Sequence, residues 1–220
     1  MSETSNEATR RPVLIVGGAP RLAVDPIRFM SVSATGATAV HLAHDLGSGT
    51  QLLLGVDAAP DVPAWRFRDR QQLNQKLRGW AGRHPDGIIV MSAAVNDYQV
   101  ERVVAQRQGE ALVMDPGGKI PSGCERISIE MAPASKLVDD LRGPWGFAGS
   151  LVAFKYEAAE TVIASAQALR HRIDASLVVA NSLCGEVQAL LDGDGLWQAG
   201  GRAELLAELV RRLAALRSGD

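Results

Sequence analysis

Short apolar runs recur along the chain, and most of them alternate with stretches whose apolar positions follow a helical period. Residues 13–16, Val-Leu-Ile-Val, end on Gly17-Gly18, the pattern of a strand buried on both faces and followed by a turn. Over 35–46 the positions Ala39, Val40, Leu42, Ala43 and Leu46 keep the helical repeat, and glycines at 47 and 49 stop it before a second apolar run at 51–54. A strand, a crossover helix and a second strand therefore open the fold. After a loop at 60–63, residues 70–83 read as an amphipathic helix through Leu73, Leu77 and Trp80, and 87–91 as another buried strand. The alternation continues with a helix at 135–141, a strand at 151–154, a helix at 160–172 and a strand at 177–180. A hairpin follows at 187–191 and 196–197 around Asp192-Gly193-Asp194-Gly195, and 203–216 reads as a closing helix. This order predicts a three-layer, doubly wound α/β fold of the Rossmann-like kind, with a mainly parallel sheet and ligands at the carboxyl ends of its strands.

One segment breaks the rhythm. Between 98 and 131 no long helical pattern exists; 111–114 and 127–131 read as two strands flanking the Gly117-Gly118 turn region. Ile127, Ile129 and Met131 alternate with Ser128 and Glu130, which marks a half-exposed antiparallel strand. We expect a protruding β-hairpin arm with too little core of its own, packed against a partner subunit in a homodimer. Residues 1–11 are polar and aperiodic and read as a disordered tail, leaving 12–217 as a single α/β domain.

Composition narrows the function classes. With 23 basic and 25 acidic residues among 220, there is no net positive field to bind nucleic acid or an anionic membrane. No apolar run is long enough to span a bilayer, and the apolar stretch after Arg10-Arg11 is too short for an export signal. A cytoplasmic location is expected. Cys124 and Cys184 have no metal-ligand or disulfide-framework spacing and read as reduced thiols, so no metal ligands are assigned.

Any anionic ligand must then be held locally. Gly17-Gly18-Ala19-Pro20-Arg21 lacks both the dinucleotide and the P-loop spacing, and by itself reads equally as a tight turn. Thr35-Gly36 falls where the first helix begins, a place whose free N–H groups favour an anion, and Arg21 and Arg28 lie between the two glycine turns. Ser92-Ala93-Ala94-Val95-Asn96-Asp97 follows a buried strand, with small residues that let a ligand approach the backbone. Only four lysines exist, among them Lys119 in the arm and Lys155 at a strand end.

Taken together, Asp25-Pro26-Ile27-Arg28-Phe29 after Gly17-Gly18, Ser92-Ala93-Ala94-Val95-x-Asp97-Tyr98, Lys119-Ile120, Phe154-Lys155-x-Glu157 and Val178-Val179-Ala180-Asn181 occur in the order seen in phosphopantothenate–cysteine ligases. The chain resembles that family from about residue 13 to 216. The resemblance implies a two-step acid–amine ligation in coenzyme A biosynthesis, with ATP or CTP as co-substrate and Mg²⁺. A nucleotide activates the acid, phosphopantothenate or a similar small molecule, as an acyl nucleotide with loss of pyrophosphate; the amine of cysteine or a similar molecule then displaces the nucleotide. It implies that Lys119 contacts the nucleotide phosphates, that Arg28 belongs to the substrate-side motif and that Phe154 lies beside the base. Ser92, Ala93 and Asp97 match the loop holding nucleotide and intermediate, and Ser135 the turn next to the triphosphate. Gly17, Gly18, Thr35, Gly36, Lys155 and Asn181 complete the expected site.

Two departures stand out. Where the family has Asn-x-Ser-Ser-Gly, this chain has Val32-Ser33-Ala34-Thr35-Gly36, and the family's lysine pair on a later helix becomes Ala168 or Leu169 with Arg172. The sequence thus supports activation of an acid better than addition of cysteine. A divergent homologue making another amide, and a nucleotide-binding regulatory protein without turnover, are the rival readings.

Overall fold

The computed structural model describes residues 10–115 and 117–219. The expected disordered tail lies outside these residues from 1 to 9. Arg11 already belongs to the folded body: its N–H donates to the Arg217 carbonyl at 3.1 Å and its guanidinium to the carbonyls of Asp86, Gly87 and Leu216.

Strand β1 (Val13–Gly17) leads through two short strands, β2 (Leu22–Ala23) and β3 (Phe29–Met30), into helix α1 (Ala37–Leu46), strand β4 (Thr50–Gly55) and strand β5 (Trp65–Phe67). Helix α2 (Arg70–Arg83) then delivers β6 (Ile88–Met91). The arm follows as β7 (Tyr98–Arg107), β8 (Glu110–Val113) and β9 (Arg126–Pro133). Helix α3 (Leu137–Arg142), β10 (Ser150–Glu157), α4 (Ala159–Arg172), β11 (Leu177–Ser182), β12 (Gln188–Leu191), β13 (Leu196–Gln198) and α5 (Arg202–Ser218) complete the chain. The main sheet runs β13-β12-β11-β10-β6-β1-β4-β5, and its pairings are parallel except those of β12 with β11 and β13. The doubly wound α/β fold read from the sequence is present.

Two apolar layers sandwich the sheet. Leu73, Leu77 and Trp80 of α2, Leu137 and Leu141 of α3 and Val162 and Ala166 of α4 cover one face; Ala39 and Leu42 of α1 and Leu205, Leu209 and Leu213 of α5 cover the other. Chain order reverses between β1 and β6, since β1 leads outward to β4 and the chain returns to β6 on its other side. That switch point leaves a crevice at the carboxyl ends of both strands. Among the described residues, no helix is long and apolar enough to cross a membrane.

The arm is a three-stranded antiparallel sheet of order β8-β7-β9 rather than a two-stranded hairpin. Both expected strands exist, but they pair with β7 and not with each other. The polar residues Gln99, Glu101, Arg102 and Gln106 hide β7 from a reading based on alternation, and a register shift between Val100 and Arg102 breaks the period further. The chain turns from β7 to β8 at Gln108-Gly109, both at positive φ.

Candidate functional site

Gly17 and Gly18 lie at the end of β1, against the start of α1. A Cβ on Gly17 would sit 2.5 Å from the Ala39 Cβ, and one on Gly18 2.6 Å from the Ala58 Cβ. Gly18 also has a φ of +76°, so glycine is required twice over. Gly36 caps α1 at a φ of 74° without a side-chain cap, while Thr35 Oγ1 accepts from the Ala37 N–H at 3.3 Å. The two glycine turns expected to converge do so.

The loop after β6 is tied to this corner. Ser92 Oγ donates to the Val16 carbonyl at 2.7 Å, and the Ala94 N–H donates to the Gly18 carbonyl at 2.9 Å. The Ser92 hydroxyl therefore fixes the loop, leaving the backbone and Ala93 toward the crevice. Ala93, Asp97, Ser135, Phe154 and Lys155 all line one cleft of about 170 Å³ on the α2, α3 and α4 side. Phe154 stands at its edge, with its side chain packed toward the α1 and α5 layer, opposite Ala153.

Four cations border that cleft: Arg70, Lys136, Lys155 and Arg172. Lys155 pairs with Glu157 at 2.5 Å, and Arg172 pairs with Asp139. The Lys155 hydrogen bond, followed by one from Ser165, holds the Glu157 carboxyl below its ordinary value against the opposing effect of burial. Arg70 and Lys136 pair with no carboxylate among the described residues. Arg70 instead makes long hydrogen bonds to the Asn96 carbonyl at 3.3 Å and Ser135 Oγ at 3.4 Å. Burial lowers its pKa from the usual value, and the charges of Asp140 and Asp97 oppose that. A partly desolvated guanidinium beside an unpaired ammonium is an anion receptor.

The sequence reading did not select Arg70 or Lys136, yet a local signal was there. Both sit at helix N-termini, Arg70 as the first residue of α2 after the Asp69 cap and Lys136 as the cap of α3. Positive charge is disfavoured at such positions, and here Asp69 caps α2 while Asp139 and Asp140 lie in the first turn of α3.

The remaining candidates form separate groups. Asn181 lies near the end of β11 on the α1 and α5 side, where its Oδ1 accepts from Arg202 Nη1 at 3.1 Å while Arg202 Nη2 donates to Thr38 Oγ1 at 2.7 Å. Arg21 forks onto Asp57 at 2.7 and 2.5 Å and lies over the Phe29 ring, so its charge is engaged. Arg28 pairs with the buried Asp25 and is half-exposed. Lys119 is exposed and does not line the cation cleft; its neighbour Ile120 is buried and donates its N–H to Asp25 Oδ2 at 3.1 Å. Val32 is 40% exposed. No group of three or more His, Cys, Asp or Glu side chains suited to a metal exists among the described residues.

Comparison with known proteins agrees with this architecture. The family described as DNA/pantothenate metabolism flavoprotein C-terminal domain matches residues 8–194. Coenzyme A biosynthesis bifunctional protein CoaBC of Thermococcus kodakarensis is 27% identical over 182 residues, covering 78% of this chain and 41% of that protein's length. The DNA/pantothenate metabolism flavoprotein of Streptococcus pneumoniae superposes with a TM-score of 0.76 at 16% identity, covering 93% of this chain and 99% of the other. A Cab2 variant in complex with phosphopantothenate-cysteine superposes with a TM-score of 0.71 at 14% identity, covering 96% and 88%. At these identities the two structures speak to the fold, and the match over residues 8–194 speaks to descent: the chain belongs to the DNA/pantothenate metabolism flavoprotein C-terminal domain family.

Proposed function

We propose that this protein is a nucleotide-dependent acid–amine ligase of the phosphopantothenate–cysteine ligase type, acting in coenzyme A biosynthesis or a related route. The observation that carries this reading is the crevice at the β1 and β6 ends, where glycine turns and the loop at Ser92–Ala94 meet a cleft bordered by the unpaired cations Arg70 and Lys136. Family membership and the Cab2 complex with phosphopantothenate-cysteine support the choice of acid and amine.

The chemistry suits such a site. A carboxylate oxygen of the acid attacks the α-phosphorus of ATP or CTP; the bond from that phosphorus to the bridging oxygen breaks, and pyrophosphate leaves. The amine nitrogen then attacks the acyl carbon, loses its proton and expels the nucleoside monophosphate. Both steps move negative charge over phosphate oxygens, which calls for positioned cations and backbone N–H groups rather than a protein nucleophile. Arg70, Lys136 and Lys155 would hold phosphate oxygens, and Ala93 and Asp97 would bound the reacting region. Mg²⁺ would neutralise charge on the triphosphate, and Asp97 is the carboxylate in the cleft that could help to hold it.

We further assign a cytoplasmic homodimer. Ile27, Phe29, Tyr98, Val113 and Ile127 are 44 to 63% exposed on the Asp25 motif and the arm, apolar surface that a second copy of this chain would cover. In such a pair Arg28 and Lys119, which lie outside the cation cleft of their own chain, would serve the bound substrates.

Incubation with phosphopantothenate and ATP or CTP, with and without cysteine, tests the reading. Acid-dependent pyrophosphate release and cysteine-dependent amide, seen by mass spectrometry, are expected. Absence of both with either nucleotide contradicts it. The exposed Val32 supports a second reading, in which another amine is used: a carboxamide can orient an acyl group by hydrogen bonds and valine cannot. Val32→Asn raises the amide formed per pyrophosphate if cysteine is the amine, and lowers it if an apolar amine packs there.

A further inference from the structure

Asp25 has the most engaged carboxylate near the site. Its side chain has no exposed area. Oδ1 accepts from the backbone N–H groups of Ile27 at 2.9 Å and Arg28 at 2.7 Å, closing a turn within the Asp-Pro-Ile-Arg motif. Oδ2 accepts from the Arg28 guanidinium and, across 95 positions of sequence, from the Ile120 N–H at 3.1 Å. Arg28 Nη1 also reaches the Ile120 carbonyl at 3.4 Å. One carboxylate therefore joins the arm segment that carries Lys119 to the motif that carries Arg28. The segment needs such a tie, because Gly117 and Gly118 precede Lys119 and hold little conformation by themselves. Ile120 supplies a second anchor, being 1% exposed.

We propose that Asp25 is a positioning residue that clamps the Lys119 segment to Arg28, so that the two cations meet the bound substrates as one preorganised unit. This rests on the reading that Lys119 and Arg28 contact those substrates. A carboxylate is the group the geometry demands: four donors converge on two oxygens, and an ionised carboxylate is all acceptor. Asparagine satisfies only half of them. With its Oδ1 kept on the Ile27 and Arg28 N–H groups, its NH₂ faces the Ile120 N–H and the Arg28 guanidinium, donor against donor. Asp25→Asn thus keeps the local turn and opens the clamp.

The test combines residue-resolved amide exchange with kinetics. In the unmodified, ligand-free protein the Ile120 amide is expected to be protected well above that of Lys119. In Asp25→Asn that protection falls at least about tenfold while β1 and β6 amides keep theirs, and kcat for pyrophosphate release falls by about 10², the scale set by small misplacements of reacting groups. The nucleotide KM changes less. Because the clamp acts through Lys119, adding Lys119→Ala to Asp25→Asn costs less than the product of the two single losses. The proposal is overturned if Ile120 exchanges as freely as Lys119 in the unmodified protein, a result independent of whether the variant folds. It is overturned equally if Asp25→Asn leaves kcat unchanged, or if the two losses multiply. An unmodified protein with no pyrophosphate release would instead defeat the ligase reading, while the exchange pattern would still report on the clamp.

Discussion

In the parallel sheet every residue of β1, β6 and β11 is buried, whereas in the strands of the arm only Val103 and Ala105 of β7 are, and β8 and β9 bury none. The body has helices on both faces and closes its own core. The arm spends its backbone hydrogen bonds internally and leaves Leu112, Val113, Ile127 and Met131 at least 37% exposed. It is tied to the body at Ile120, which is buried, donates its N–H to Asp25 Oδ2 and accepts from Arg28 Nη1. The difference separates two jobs. The body closes its own core beneath the crevice, whereas the arm that carries Lys119 has the few buried contacts of a low-stability element, one that the proposed Asp25 clamp and the proposed second copy would steady.

The largest effect is expected where the body is deepest. Trp80 is fully buried, and its Nε1 donates to Gln51 Oε1 at 2.7 Å. Trp80→Ala should lower unfolding stability by about 3–5 kcal/mol, read from chemical denaturation; a loss under about 1 kcal/mol would mean that the α2 layer is not the support we take it to be. Next is the arm's charge. Lys119→Ala should slow pyrophosphate release by about 10² or more with the unfolding midpoint unchanged, and unaltered turnover would remove Lys119 from the mechanism.

Ile127→Glu sharpens the contrast further, because 44% of this β9 side chain is exposed within the chain. Its effect on the fold of one protomer should stay within about 0.5 kcal/mol, while sedimentation at micromolar concentration should show the proposed dimer in the unmodified protein and monomer in the variant. A dimer that survives would place the interface elsewhere. The smallest effect is with pH. Burial pushes the Asp25 carboxyl up, but hydrogen bonds from Ile27, Ile120 and Arg28 outweigh it and hold the group down to about 2. A depressed carboxyl contributes stability above its unfolded value of about 3.9, and that contribution fades as pH falls toward 2. Ile120 protection, corrected for intrinsic exchange, should therefore be flat from pH 8 to 5 and decline below 4; a decline near pH 6 would point to a different group.

The body was legible because its strands are continuous apolar runs and its helices keep their period; α2 falls on the residues the periodicity gave, 70–83. The arm was less so. β7 carries Glu101, Arg102 and Gln106 among its apolar residues and lies beside solvent, so neither burial nor alternation marks it. β2, β3 and β5 span two or three residues each, too short for any pattern. At the site, sequence order brought out the glycine turns and the loop after β6, since small residues at strand ends have a local cause. Arg70 and Lys136 escaped because their meaning comes from two helix N-termini facing one cleft, and Asp25 because its partner Ile120 is 95 residues away.

Attack by the acid's carboxylate on the α-phosphorus moves an oxygen that an isotope follows directly. Phosphopantothenate carrying ¹⁸O in its carboxylate should be turned over with ATP or CTP and cysteine, and the released nucleoside monophosphate examined by mass spectrometry. One ¹⁸O atom is expected in the monophosphate and none in pyrophosphate. Label in inorganic phosphate, or amide formed with an unlabelled monophosphate, would contradict that attack.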